Sequence, residues 1–180
     1  MTIANKISQV IVNVAIQENS TLSSLVKEGI FYMPELAFAY DCGKAIMAKS
    51  KSIFGDNTPT WLREVGLENG GPTDLVFEFN DGKKIAIEFK LRDTSHAYIR
   101  DIKKLSELKD NNTLRIFCAL IDVFTDKLPD DGRQKAIEDL KEYKVIEILK
   151  ETFPTKSYGY VSPMSCVVAL WTVGDIPDIE

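Results

Sequence analysis

Apolar positions along the chain follow two rhythms. Ile3, Ile7, Val10, Ile11 and Val14 recur at helical spacing, which predicts an amphipathic helix over 2–18. Asn19-Ser20-Thr21 is expected to break it, with a second short helix over 22–30 ending near Gly29. Pro34 suits a first helical position, and Leu36, Tyr40, Gly43 and Met47 carry the helical spacing on to about Ser50. After the loop 55–59 the period changes. Residues 61–67 read as a strand, and a Glu-Asn-Gly-Gly-Pro break leads into strict alternation. Leu75, Phe77 and Phe79 point one way, and Ile85, Ile87, Phe89 and Leu91 answer them, the mark of a half-buried hairpin.

Parity fixes the register of that hairpin. A two-residue loop would set one strand's apolar side chains against the other's polar ones. A three-residue loop, Asn80-Asp81-Gly82, keeps both apolar sets on one face, with Gly82 free to take positive φ. It pairs Phe79 with Lys83, Glu78 with Lys84, Val76 with Ala86, and Asp74 with Glu88.

Downstream, Thr94 or Ser95 can cap a helix whose stripe is Tyr98, Ile102, Leu105 and Leu108. Residues 114–124 are almost wholly apolar and suit a buried central strand, with Asp122 near its end in a structural role. A helix is expected over 133–149, with Pro154 closing that region. Tyr158-Gly159-Tyr160 and 166–173 read as two late strands. Helices, strand, hairpin, helix, strand, helix, strands: this order predicts an α/β domain, a mixed central sheet flanked by helices.

Composition changes the picture little. The chain has 180 residues, and its apolar and charged fractions, 44% and 27%, suit one globular domain over 1–180. Cys42, Cys118 and Cys166 are far apart in sequence and odd in number, without metal-ligand spacing, which favours a reducing compartment. No apolar run approaches a membrane span, and Asn5, Lys6, Ser8, Gln9 and Asn13 interrupt the N-terminus, so no signal peptide is read and a cytoplasmic location is expected. The net charge of −5 counts against nucleic acid as partner. Its distribution counts the other way, because Lys83, Lys84, Lys90, Arg92, Arg100, Lys103 and Lys104 outnumber Glu88, Asp93 and Asp101 over 83–104.

The chemistry enters through the last hairpin pair. Asp74 opposite Glu88 sets two like charges side by side, which destabilises a ladder. A local cost of that kind marks a site. Two facing carboxylates suit a hard divalent cation, and Lys90 projects from the same face as Glu88. Glu35 is the only charge in the stretch 30–40. It reads either as a partner of the helix dipole or as part of this site. Arg100, Lys103 and Lys104 lie off the apolar stripe, as a solvated face or as phosphate contacts. His96 reads as a capping or surface residue, and Glu64 as a strand residue paired with Arg63 or a lysine. The two tyrosines could stack on bases, although a strand explains them equally well.

Asp74, followed after a short hairpin by Glu88-Phe89-Lys90, resembles the signature of the PD-(D/E)XK nuclease superfamily. Thr73 stands where that signature often has Pro, and Pro72 lies one residue earlier. Glu35 is similar in position to the superfamily's helical Glu before the sheet. The likeness spans residues 30–125. It implies a restriction-endonuclease-like αβββαβ core over about 33–125 and leaves both ends unassigned; the residue pattern alone gives N-terminal helices over 1–52 and a C-terminal helix and strands over 131–175. It implies a metal-dependent endonuclease or phosphodiesterase acting on nucleic acid, DNA first. In that scheme Asp74, Glu88 and the Phe89 backbone carbonyl hold Mg²⁺ or Mn²⁺. Glu35 holds a metal-bound water or a second ion. Lys90 orients or deprotonates the attacking water, or steadies the transition-state charge. Arg92, Arg100, Lys103 and Lys104 would meet the nucleic acid, and a homodimer would suit cutting both strands. The alternative is a nuclease-like fold that binds nucleic acid or protein without cutting; a hydrolase of a non-nucleic substrate is a third reading.

Overall fold

The computed structural model describes residues 1–68 and 70–177. It is α/β, with a six-stranded mixed sheet between helical layers. Five α-helices, α1 (Ile3–Leu25), α2 (Glu35–Ala48), α3 (Ser50–Phe54), α4 (Ser95–Ser106) and α5 (Arg133–Glu138), surround six strands. The strands are β1 (Thr60–Gly66), β2 (Pro72–Glu78), β3 (Lys84–Leu91), β4 (Thr113–Phe124), β5 (Ile146–Thr155) and β6 (Met164–Thr172), in sheet order β1-β2-β3-β4-β6-β5. Only β3 and β4 run parallel, joined through α4. No helix among the described residues is long and apolar enough to cross a membrane.

The hairpin takes the expected register: Leu75 pairs with Ile87, Val76 with Ala86, Phe77 with Ile85 and Glu78 with Lys84. The Phe79 amide donates to the Lys83 carbonyl at 2.9 Å, and Gly82 turns the chain at φ +83°. The expectation of a half-buried sheet is corrected. Odd-numbered side chains of β2 and β3 pack under α1, α2 and α3, whereas Ala86, Phe117, Ala119 and Trp171 pack on the opposite face beneath α4 and α5. Both faces are covered, which is why β4 reads as an almost wholly apolar run.

Five further expectations are corrected. Asn19-Ser20-Thr21 does not break α1. The Thr21 hydroxyl donates back to the Gln17 carbonyl, and Asn19 turns its amide outward as a tie. Asn19 Oδ1 accepts from the Ile30 amide and the Thr155 hydroxyl, and Nδ2 donates to the Pro154 carbonyl. The buried face of α2 is Phe38, Ala39, Cys42 and Ile46, while Leu36 and Tyr40 are exposed. The helix expected over 133–149 ends at Glu138. A 3₁₀ turn and Lys144 in the left-handed region (φ +49°) reverse the chain into β5. Pro154 lies inside β5, where an edge strand tolerates a missing donor. Tyr158-Gly159-Tyr160 is a turn, not a strand. The expected break before β2 includes Asn69, which lies outside the described residues. The three cysteines, remote in sequence, are all free and buried in the core beneath α1 and α2.

Gly29 ties α1 to the end of β5. Its amide donates to the Lys156 carbonyl at 2.8 Å. A Cβ at this position would stand 1.9 Å from Thr155 Oγ1 and 2.7 Å from two Lys156 backbone atoms. Gly29→Ala should therefore destabilise the fold by about 1–3 kcal/mol, since backbone must shift to make room. Chemical denaturation checks this; an unchanged midpoint would refute the close approach.

Candidate active site

The site grows from a departure in the sheet. The β2–β3 ladder stops at Leu75–Ile87, while β2 stays paired with β1 as far as Pro72. Amides of alternate residues point to alternate sides of a strand. Lys84 and Arg92 donate toward β4, so Phe89 and Leu91 face the side that β2 has left. Their N–H groups would be orphaned there, at a cost of about 1–3 kcal/mol each if buried. Two carboxylates take them. Asp74 Oδ2 accepts from the Phe89 amide at 2.8 Å, and Glu35 Oε2 accepts from the Leu91 amide at 2.8 Å. Glu35 reaches this point because Pro34 starts α2 immediately before it.

Asp74 and Glu88 are therefore not a ladder pair in the expected sense, but they remain close enough to feel each other. Burial pushes the Glu88 carboxyl up to about 7, Lys104 opposes the rise, and the Asp74 charge adds to it. Burial likewise raises Asp74, against the Phe89 amide and with help from Glu35. Lys90 Nζ stands 3.0 Å from Glu35 Oε1 on α2 and 3.3 Å from Asp101 Oδ2 on α4, bridging the two helical layers. Burial lowers its pKa, but these two acids outweigh burial and the net shift is upward. It is an ammonium at neutral pH.

The four expected catalytic residues thus lie in one polar knot: Glu35 touches Lys90, and Lys90 follows Glu88 on the same face of β3. Asp74 joins them through the Phe89 amide. The Phe89 side chain is buried against Phe38, leaving only its backbone to serve the site. Asp101 was missed in the sequence, and Lys104, expected as a solvated residue or a phosphate contact, takes a carboxylate instead. Asp101 is buried beside Lys90, and Lys104 points inward, its Nζ 2.6 Å from Glu88 Oε1 and bonded to the Pro72 carbonyl. The spacing Ala97, Asp101, Lys104, Leu108 is a helical line beside the apolar stripe, and that was the available signal. Lys104 is thus no member of a solvated face.

The other basic candidates divide. Arg92, with φ +50°, holds Asp122 at 2.9 Å and the Ser157 hydroxyl at 3.2 Å. Asp122 also takes Arg133 at 2.7 Å, which fits its expected structural role. Arg100 and Lys103 are exposed, with only looser contacts to Asp101 and Glu107. His96 is exposed, as expected. Glu64 is exposed at φ +50°, and Arg63 lies instead over the Tyr40 ring.

No family model, curated protein or solved structure matches this chain. Among the described residues no group of three or more His, Cys, Asp or Glu side chains is arranged to hold a metal ion. Two carboxylates and a carbonyl are nonetheless a donor set that Mg²⁺ accepts, because that ion keeps several waters or phosphate oxygens of its own.

The Glu88 shift makes a pH prediction. Its folded pKa lies above the unfolded value, so its stabilising contribution is full below about pH 4.5 and is lost as pH rises through about 7. Glu88→Gln should flatten the fall in stability between pH 5 and 8, by on the order of 2 kcal/mol. Melting curves across that range test it; parallel curves for the two proteins would contradict the assignment.

Proposed function

We propose that this protein is a metal-dependent phosphodiesterase that cuts nucleic acid, DNA first, on a restriction-endonuclease-like core. The observation that carries the reading is the convergence of Asp74, Glu88 and Lys90, with Glu35, where β2 leaves β3. The succession α2, β1, β2, β3, α4, β4 supports it, being the αβββαβ order that the PD-(D/E)XK resemblance implies. So does the charge state: burial first, and the charge of the half-buried Asp74 after it, raise the Glu88 carboxyl to about 7, and a bound cation would offset both.

Asp74, Glu88 and the Phe89 carbonyl would hold Mg²⁺ or Mn²⁺, with Glu35 placed for a water or a second ion. The bound ion would neutralise phosphate charge and acidify a coordinated water. The chain's own residues do the rest. Lys90, kept protonated by Glu35 and Asp101, steadies the negative charge that builds on the phosphate oxygens; its raised pKa argues against its acting as the base. Glu88, raised by burial, would keep its negative charge at neutral pH through a bound cation, which takes the place of the proton. Lys104 neutralises Glu88 at rest and bonds the Pro72 carbonyl; a cation bound at Glu88 would displace the lysine from that carboxylate. Glu35 and Asp74 fix the β3 backbone, so the lysine and both acids keep their spacing.

A second reading has its own observation. Asp74 and Glu35 already serve backbone amides, and Lys90 and Lys104 are already paired, so the knot closes without a ligand. On that view the domain binds nucleic acid or a protein without cutting.

Incubation with supercoiled DNA, single-stranded DNA and RNA, in Mg²⁺, Mn²⁺ or EDTA, separates the two. The proposal expects metal-dependent cleavage, reduced at least ~100-fold by Lys90→Ala. Mn²⁺ should also raise the melting temperature more at pH 8 than at pH 5.5, because protons compete for Glu88, and Asp74→Asn should remove that rise. Binding without cleavage under every metal, and no thermal shift, would favour the second reading.

A further inference from the structure

The turn between β5 and β6 is built unlike a mere connection. It carries Tyr158, 92% exposed, beside Tyr160, and no strand accounts for either ring. Large apolar surface left in water on a turn calls for a partner. The turn is also held rigid. The Tyr158 amide donates to Glu28 Oε2 at 2.8 Å, and the Lys156 carbonyl accepts from the Gly29 amide at 2.8 Å. Arg92 bonds Ser157 and lays its guanidinium over the Tyr160 ring at 5.1 Å. Tyr160 also leans on Phe124, with ring centroids 5.8 Å apart. A platform held this firmly loses little freedom when it binds.

Its chemistry is specific. A recess of about 650 Å³ is bordered by Tyr158, Tyr160, Val161, Lys27 and Lys156, with the Glu28 carboxylate also in its lining and taken up by the Tyr158 amide. Rings that present flat faces, with exposed ammonium groups beside them, match a planar base joined to a phosphate. Arg92 ties the platform to the site, since it follows Lys90 by two residues, immediately after the end of the strand that carries Glu88. A base pair inside a duplex shows no free face to such a ring; an unpaired base does.

We infer that the Tyr158–Tyr160 turn is a stacking platform for unpaired nucleobases, so that the substrate strand beside Lys90 is single-stranded or locally opened. This rests on the phosphodiesterase reading for its purpose, but the platform is tested without cleavage.

Fluorescence anisotropy in EDTA, with labelled oligo-dT, oligo-U and a duplex of equal length, gives that test. The wild type should bind one or both single strands more tightly than the duplex, and the dT and U arms tell DNA from RNA. Tyr158→Ala should weaken single-strand binding about tenfold and leave duplex binding and melting temperature unchanged. Tyr158→Phe, which keeps the ring, should bind as the wild type does. The inference is overturned if Tyr158→Ala binds single strands normally, if Phe fails as badly as Ala, if the duplex is preferred, or if no oligonucleotide binds, as expected of a protein-docking surface. A parallel Mn²⁺ cleavage assay separates the two levels. Cutting that ignores Tyr158→Ala overturns the platform and keeps the phosphodiesterase. Tyr158-dependent binding with no cutting keeps the platform and overturns the phosphodiesterase.

Discussion

Everything at the site follows from two backbone amides that lose their ladder partners. β2 cannot stay with both neighbours, and beyond Leu75 it keeps β1 and leaves β3. Phe89 and Leu91 then present donors to a gap, and buried donors must be satisfied. Carboxylates from β2 and from the start of α2 do this. Each solves a hydrogen-bonding problem and brings a negative charge into a partly buried place. Cations must follow, and Lys90 and Lys104 supply them from β3 and α4. The polar knot is thus the direct electrostatic consequence of a fork in the sheet.

The two ends of this network are unequal. Lys90 has two acids and its charge is secure. Glu88 has one lysine, sits deep beneath α4, and still titrates near neutrality. Buried charge that its neighbours do not fully neutralise is expensive to keep in a structural role alone. The imbalance is what separates a candidate reaction centre from a well-satisfied scaffold. The surrounding fold fixes it firmly: β3 lies between β2 and β4, and helices cover both faces.

Much of this was legible in sequence because period-2 parity is unforgiving. One apolar face admits one register, and the three-residue turn at Gly82 followed from it. β4 was readable from its almost wholly apolar run, and the cap at Thr94 or Ser95 from its position before the stripe. The failures have physical causes. Ile146 and Ile148 fit a helix as well as a strand over a short window, and only the reversal at Lys144 decides between them. Asn19 looked like a breaker because its side-chain partners, Ile30, Pro154 and Thr155, lie far along the chain. Lys104 looked solvated because nothing local reveals that Glu88 lies beneath it. Parity brought Asp74 near Glu88 but could not reveal that the ladder ends one pair earlier.

The most direct test of the account is a crystal soaked in Mn²⁺ at saturating concentration and measured for anomalous scattering. The account predicts a peak shared by the Asp74 and Glu88 carboxylates, with the Lys104 ammonium moved off Glu88. A map with no peak there, and the Lys104–Glu88 pair intact, would contradict it.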